Sequence, residues 1–213
     1  MITIHHLLVS QSERVIWLME ELGLPYELKS YPRQPNYMEA PEFLALHPLG
    51  QAPVIDDGDV RLAESLAIVT YILELYGNGA LRIAPGEPGY ADYVYWMAYS
   101  IGGLAPQAMQ YMAALRMGTE SGPFGDMARE RRARHLGMMD ARLAAHDWLA
   151  GNKFTGAEIM CQFPFGTMSK FGAMDISAYP NIRRWLDQIS ARPAYQRAMK
   201  IAGHASDPAQ PAG

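Results

Sequence analysis

The chain is poor in cysteine and nearly balanced in charge. Of its 213 residues only Cys161 is a cysteine, so no internal disulfide forms, a thiolate zinc site lacks partners, and a reducing compartment suits it. Lysine and arginine number 18 against 22 aspartates and glutamates, a formal charge of -4. That charge offers no broad attraction to phosphate backbones or anionic lipid, which sets aside nucleic acid and membrane surfaces as partners. No stretch reaches the ~18 apolar residues a membrane span needs. The opening Met1-Ile-Thr-Ile-His-His has neither the cationic nor the continuous apolar segment of a secretion signal. A cytoplasmic location is the expectation.

Several chemical signatures are also missing. There is no Gly-x-x-x-x-Gly-Lys-Ser/Thr loop and no Gly-x-Gly-x-x-Gly after a strand, and Ser100 lacks the glycine two places before it that a nucleophile elbow requires. Nucleotide-binding and hydrolase readings weaken accordingly. The six histidines are scattered, His5 and His6 fall on opposite faces of a strand, and no His-Glu-x-x-His pair occurs; no metal is expected. The one basic run, residues 129 to 135, has the spacing of a solvated helix face with internal ion pairs, with an anion-binding role as the lesser alternative. Repeats and low-complexity tracts are absent.

What is present is a chain 49% hydrophobic, enough for one sizeable core or two compact ones. Near-alternation from Ile2 to Val9, a polar Ser10-Gln-Ser-Glu13, and apolar residues at 15, 18, 19 and 22 read as strand, turn and helix. Gly23 and Pro25 stop that helix, and Tyr26 to Tyr31 alternates like a second strand. Pro41 to Leu46 reads as a short helix. Ala52 to Ile55 and Val60 to Ala63 flank Asp56-Asp57-Gly58-Asp59 as a hairpin. An apolar stripe at Leu66, Ile68, Val69, Ile72, Leu73 and Tyr76 then runs to Gly77.

Residues 77 to 89 are dense in glycine and proline and mark a boundary. Beyond it the spacing predicts helices near 90 to 117, 126 to 149, 156 to 171 and 180 to 200. The expected architecture is α/β plus all-α: a βαβ-α-ββα domain over 1-78, a linker over 79-89, a helical bundle over 90-202 and a flexible tail over 203-213.

Four features in this order resemble the glutathione transferase superfamily. They are Ser10-Gln-Ser-Glu-Arg14 after the first strand, Pro41-Glu-Phe-Leu-Ala-Leu-His-Pro-Leu-Gly-Gln-Ala-Pro53, Glu64-Ser65 opening a helix, and Thr155-Gly-Ala-Glu-Ile159 opening another. The resemblance spans nearly the whole chain. It implies a thioredoxin-like N-terminal domain, a helical C-terminal domain, glutathione as co-substrate and a homodimer. It also implies that Pro53 is cis and that the backbone of Ala52 pairs with the cysteinyl part of glutathione. Glu64 and Ser65 hold the γ-glutamyl group at a helix N-terminus. Gln51 adds a neutral hydrogen bond where related bacterial sequences often place lysine.

Ser10 matches the Ser-x-x-x-Arg spacing of serine-type members, whose hydroxyl hydrogen-bonds the glutathione sulfur. A purely structural account stays open, since Ser10-x-x-Glu13 is also a capping box and Ser12 is a rival hydroxyl. The turn carries no cysteine, which excludes dithiol exchange by the protein itself. Thr155 to Glu158 is a second capping box with a folding role. The resemblance places the acceptor electrophile in a cleft between the halves, with Trp96, Tyr99, Gly103, Met109 and Met112 as candidates whose spacing fits core packing equally well. Conjugation and glutathione-dependent peroxide reduction both remain open, as does a non-catalytic binding or regulatory role.

Overall fold

The computed structural model describes residues 1–36, 38–168 and 175–203, so the predicted tail beyond 203 lies outside the described residues, as do residues 169 to 171 of the helix expected from 156, which in the described residues ends at Gln162. The chain divides into two compact units, Met1–Ala80 with Ser190–Gly213, and Leu81–Ile189.

In the first unit the order is β1 (Ile2–Leu7), α1 (Glu13–Leu22), β2 (Tyr26–Tyr31), α2 (Pro41–Leu44), β3 (Val54–Asp57), β4 (Val60–Ala63) and α3 (Ser65–Leu75). The sheet order is β2-β1-β3-β4, with β1 parallel to β2 and antiparallel to β3, and β3 antiparallel to β4. β1 is thus a central strand, and the burial of Ile2, Ile4, His5, His6 and Leu7 follows from cover on both faces. Gly23 ends α1 in the left-handed conformation at φ 63°, and Leu24 N–H closes the cap on the Met19 carbonyl at 3.1 Å. α1 buries Val15, Ile16, Leu18 and Met19, and α3 buries Ile68, Val69, Ile72 and Leu73.

The last predicted helix, read as continuous from 180 to 200, is two helices, α8 (Pro180–Ser190) and α9 (Pro193–Ile201). Pro193 explains the break, because proline disfavours the helical conformation in the residue before it and then starts a helix well. α9 belongs to the first unit, where Arg192 binds Glu21 of α1 through two bonds of 2.6 and 2.7 Å and Trp17 meets Tyr195 edge-on at 4.9 Å.

The second unit holds α4 (Tyr90–Tyr99), a π-helical turn (Ser100–Leu104), α5 (Ala105–Arg116), α6 (Pro123–Ala145), α7 (Gly156–Gln162) and α8. The predicted single helix from 90 to 117 therefore carries a π-turn where Gly102 and Gly103 lie; a Cβ on Gly103 would fall 2.6 Å from the Tyr99 ring. α6 starts at Pro123, three residues earlier than the apolar spacing predicts, since proline suits a first helical position. Asp140 on α6 accepts N–H bonds from Asn181 at 2.8 Å and Ile182 at 3.1 Å, capping α8 from a distance. The predicted box at α7 is present: the Thr155 hydroxyl accepts from Ala157 N–H, and the Glu158 carboxylate accepts from Thr155 N–H at 2.7 Å and Leu149 N–H at 2.7 Å.

Candidate functional site

The end of β1 turns through Val9, a β-branched residue at φ 55°, a conformation such residues rarely adopt. The Arg33 guanidinium holds the turn by donating to the Leu8 carbonyl at 2.9 Å and the Val9 carbonyl at 3.2 Å. Backbone strain held by such cross-links is a common feature of functional turns.

Ser10 follows, 6% exposed. Its hydroxyl donates to the Leu7 carbonyl at 2.7 Å, lies 2.7 Å from the Ser12 hydroxyl and accepts from Ser12 N–H at 3.2 Å. Ser12, fully buried, stands at the N-cap of α1 but makes no side-chain cap bond; its hydroxyl is 2.7 Å from His6 Nδ1 instead. Both serines are thus engaged with each other and with the Leu7 carbonyl of β1, and Ser12 also with His6, so a simple capping box of Ser10 and Glu13 does not describe the turn.

Arg14 is 1% exposed, and its Nη1 donates to the Ser65 hydroxyl at 3.3 Å and to the Gln11 side-chain oxygen. A buried guanidinium therefore joins the turn after β1 to the start of α3. Ser65, 5% exposed, is the first residue of α3, and Glu64 before it has φ 74° and an exposed side chain. The positive helix end, the Ser65 hydroxyl and Arg14 together make this corner receptive to an anion.

On the third side, the Ala52–Pro53 peptide is cis, in accord with the resemblance. Ala52 precedes the paired residues of β3, which begin with Val54 opposite His5 and Ala63, and it packs on the cluster of Leu7, Phe43 and Val54. Gln51 is exposed. The preceding turn depends on Gly50, at φ 59°, where a Cβ would fall 2.4 Å from Leu44 Cδ2. Ser10, Ala52 and Ser65 are thus brought toward one end of the sheet by β1, β3 and α3, with Glu64 and Gln51 exposed beside them.

The acceptor candidates all lie in the second unit. Trp96 is 3% exposed and packs in that unit's core against Tyr95 and Tyr99. The Tyr99 hydroxyl bonds His135 Nδ1, their rings stack at 5.6 Å, and burial pushes the phenol's pKa up. Burial, with Arg131 and Arg134 nearby, pushes His135 down. Met109 is largely exposed and Met112 half-buried. The arginines of the 129 to 135 run are partly paired within α6, Arg134 with Glu130 at 2.8 Å, as a solvated face requires. Among the described residues no cluster of three or more histidine, cysteine, aspartate or glutamate side chains is arranged to hold a metal, and no helix is long and apolar enough to cross a membrane.

Sequence reasoning gave Arg14 no role beyond its spacing from Ser10, and gave His6 none. The available signals were a charged residue next to the apolar stripe of α1 and a histidine in the central strand's alternation.

Comparison with known proteins agrees with this architecture. The model of the glutathione S-transferase N-terminal domain matches residues 10–75, and that of the glutathione S-transferase C-terminal domain matches residues 104–193. Glutathione S-transferase 3 of Schizosaccharomyces pombe is 30% identical over 210 residues, covering 91% of this chain and 85% of the relative. A glutathione S-transferase structure from Actinobacillus pleuropneumoniae superposes with a TM-score of 0.85 at 34% identity, over 95% of this chain and 93% of that one. A family member from Pseudomonas fluorescens, solved with two glutathione bound, has a TM-score of 0.79 at 25% identity, over 93% and 92%. The chain belongs to the glutathione S-transferase superfamily. It is an enzyme of that type, with a thioredoxin-like N-terminal domain followed by a helical C-terminal domain.

Proposed function

We propose that this enzyme conjugates the glutathione thiolate to small apolar electrophiles, with Ser10 as the hydroxyl that stabilises the sulfur. Gln51, Ala52, Glu64 and Ser65 hold the tripeptide: Ala52 through its backbone, Ser65 and the α3 terminus on the γ-glutamyl carboxylate, Glu64 on its ammonium and Gln51 by a neutral bond. Trp96, Tyr99, Gly103, Met109 and Met112 supply the wall for the acceptor. The enzyme acts in the cytoplasm as a homodimer, and the same thiolate reduces a peroxide where one is offered.

The observation that carries this reading is the buried Arg14 link between the Ser10 turn and Ser65, which ties a hydroxyl to an anion-receptive helix end. A thiol of pKa ~8.5 is only a few per cent ionised at neutral pH, and lowering it by ~2 units corresponds to about 2.7 kcal/mol. A hydrogen bond to a charged group contributes about 1.5–3 kcal/mol, so one well-placed hydroxyl covers most of that.

Two measurements test the reading. Calorimetric titration with glutathione should give a saturable heat; its absence would favour a non-catalytic platform. Conjugation of a generic aryl halide should fall about ten- to a hundredfold in Ser10→Ala. A rate unchanged in that variant but lost in Ser12→Ala would move the role to Ser12. Sedimentation at working concentration checks the dimer.

A further inference from the structure

His6 lies on β1, is fully buried, and has a partner at each ring nitrogen: Nε2 is 3.2 Å from the Ala202 carbonyl and Nδ1 is 2.7 Å from the Ser12 hydroxyl. A carbonyl only accepts, so the neutral ring carries its proton on Nε2 and presents a lone pair at Nδ1. Ser12 then donates to Nδ1, and its oxygen lies 2.7 Å from the Ser10 hydroxyl, which at rest donates to the Leu7 carbonyl. Ser10, Ser12 and His6 are therefore linked by two contacts of 2.7 Å, and turning the Ser10 hydroxyl from Leu7 onto Ser12 completes a chain that ends on the imidazole lone pair.

We propose that His6 is the terminal acceptor of the glutathione thiol proton, reached through Ser10 and Ser12. The inference rests on the reading above. In the step, the S–H bond breaks and its proton goes to Ser10 Oγ. The Ser10 proton, turned from the Leu7 carbonyl, passes to Ser12 Oγ, and the Ser12 proton passes to His6 Nδ1. Both serines end neutral, the sulfur carries the negative charge and the imidazolium the positive one. Three bonds then run toward the sulfur, Nδ1–H to Ser12, Ser12 to Ser10 and Ser10 to the thiolate, so the same chain that removes the proton then donates to the anion.

Burial by itself disfavours an imidazolium, and a second feature offsets it. Ala202 is the C-cap of α9, so His6 Nε2 binds the carbonyl end of a nine-residue helix, where the helix dipole favours a cation. The ionisable side chains on the surrounding elements include Glu13, Arg14, Glu20 and Glu21 on α1, Glu27 and Lys29 on β2, Asp56 and Asp57 on β3, and Arg197 and Lys200 on α9; a carboxylate near the ring favours its charged form and a cation opposes it. His6 is thus a positioning and proton-holding residue that never touches the substrate.

Nitrogen NMR of the histidine side chains, before and after saturating glutathione, reads the step directly. Nδ1 of His6 should become protonated on binding, while a neutral Nε2–H ring in both states would overturn the relay. Kinetics give a second route. Ser12→Ala cuts the chain yet leaves the His6 bond to Ala202, and His6→Asn keeps a hydrogen-bonding group without a titratable ring. Each should still bind glutathione, with Kd within a few-fold of the parent, but lose up to about tenfold in kcat/KM at neutral pH, regained as pH rises, because the bound thiol titrates about one unit higher. Ser12→Thr should restore the parent profile. Parent-like pH profiles in Ser12→Ala and His6→Asn, with Ser10→Ala still impaired, would overturn the relay and leave the assignment of Ser10 standing. Parent-like activity in Ser10→Ala would remove that assignment itself.

Discussion

Arg61 and His5 both reach the Asp56 carboxylate, Arg61 through bonds of 2.7 and 2.8 Å and His5 Nε2 at 2.9 Å. The Arg61 bonds are the main reason this carboxyl titrates well below the usual carboxylate range, with His5 adding to the effect. The folded state therefore binds the Asp56 proton less tightly than the unfolded chain. The resulting stabilisation is complete above about pH 4 and is lost as pH falls through the lower folded value. Asp56→Asn should destabilise near neutrality, and its difference from the parent should shrink progressively below about pH 4. Urea midpoints at stepped pH check this; a constant difference down to strong acid would contradict it. None of this network was legible in the sequence, where Asp56 read only as one acidic residue of a hairpin turn. Its partners come from β1 and β4, and register across strands decides which side chains meet.

The Thr155 box at α7 is a local device and was readable from four residues. Thr155→Ala should cost about 1 kcal/mol, the usual range for a lost N-cap. Glu158→Ala should cost more, about 1–3 kcal/mol, because the backbone N–H groups of Thr155 and Leu149 lose their buried acceptor. Equilibrium urea unfolding ranks the two variants, and the reverse order would sink the account. Leu149 lies outside the motif, so the sequence announced the cap and not its second client. The stop of α1 at Gly23 was likewise legible, because it depends on one residue's access to positive φ. The π-turn between α4 and α5 was not, since periodicity alone does not distinguish a bulge from a continuous helix. The turn at Ser10 shows the same limit: Ser12 has the composition of a cap, yet the tertiary partner His6 takes its hydroxyl.

Over the whole molecule, the least foreseeable feature is α9, which is the last element among the described residues and sits in the first unit. It covers Trp17, 1% exposed, and pairs Arg192 with Glu21 and Arg197 with Glu20. A chain ending at Ala191 should have a markedly lower urea midpoint, as it bares Trp17 and leaves the largely buried Glu21 without Arg192. Trp17→Ala in the full chain should cost about 3–5 kcal/mol, as large buried aromatics do. A truncated chain as stable as the parent would show that α9 contributes nothing to the first unit.

By itself the sequence determined what depends on neighbours along the chain: the βαβ-α-ββα order, the glycine stops, the capping box, the helical second half, and the family motifs around Ser10, Pro53 and Ser65. Only the tertiary structure decided that Arg14 joins the Ser10 turn to Ser65, that Asp56 is held by Arg61 and His5, and that the end of α9 meets His6. Periodicity and caps are set over a few residues, whereas these contacts join groups 5 to 196 residues apart, and their energies exist only once the core has brought the elements together.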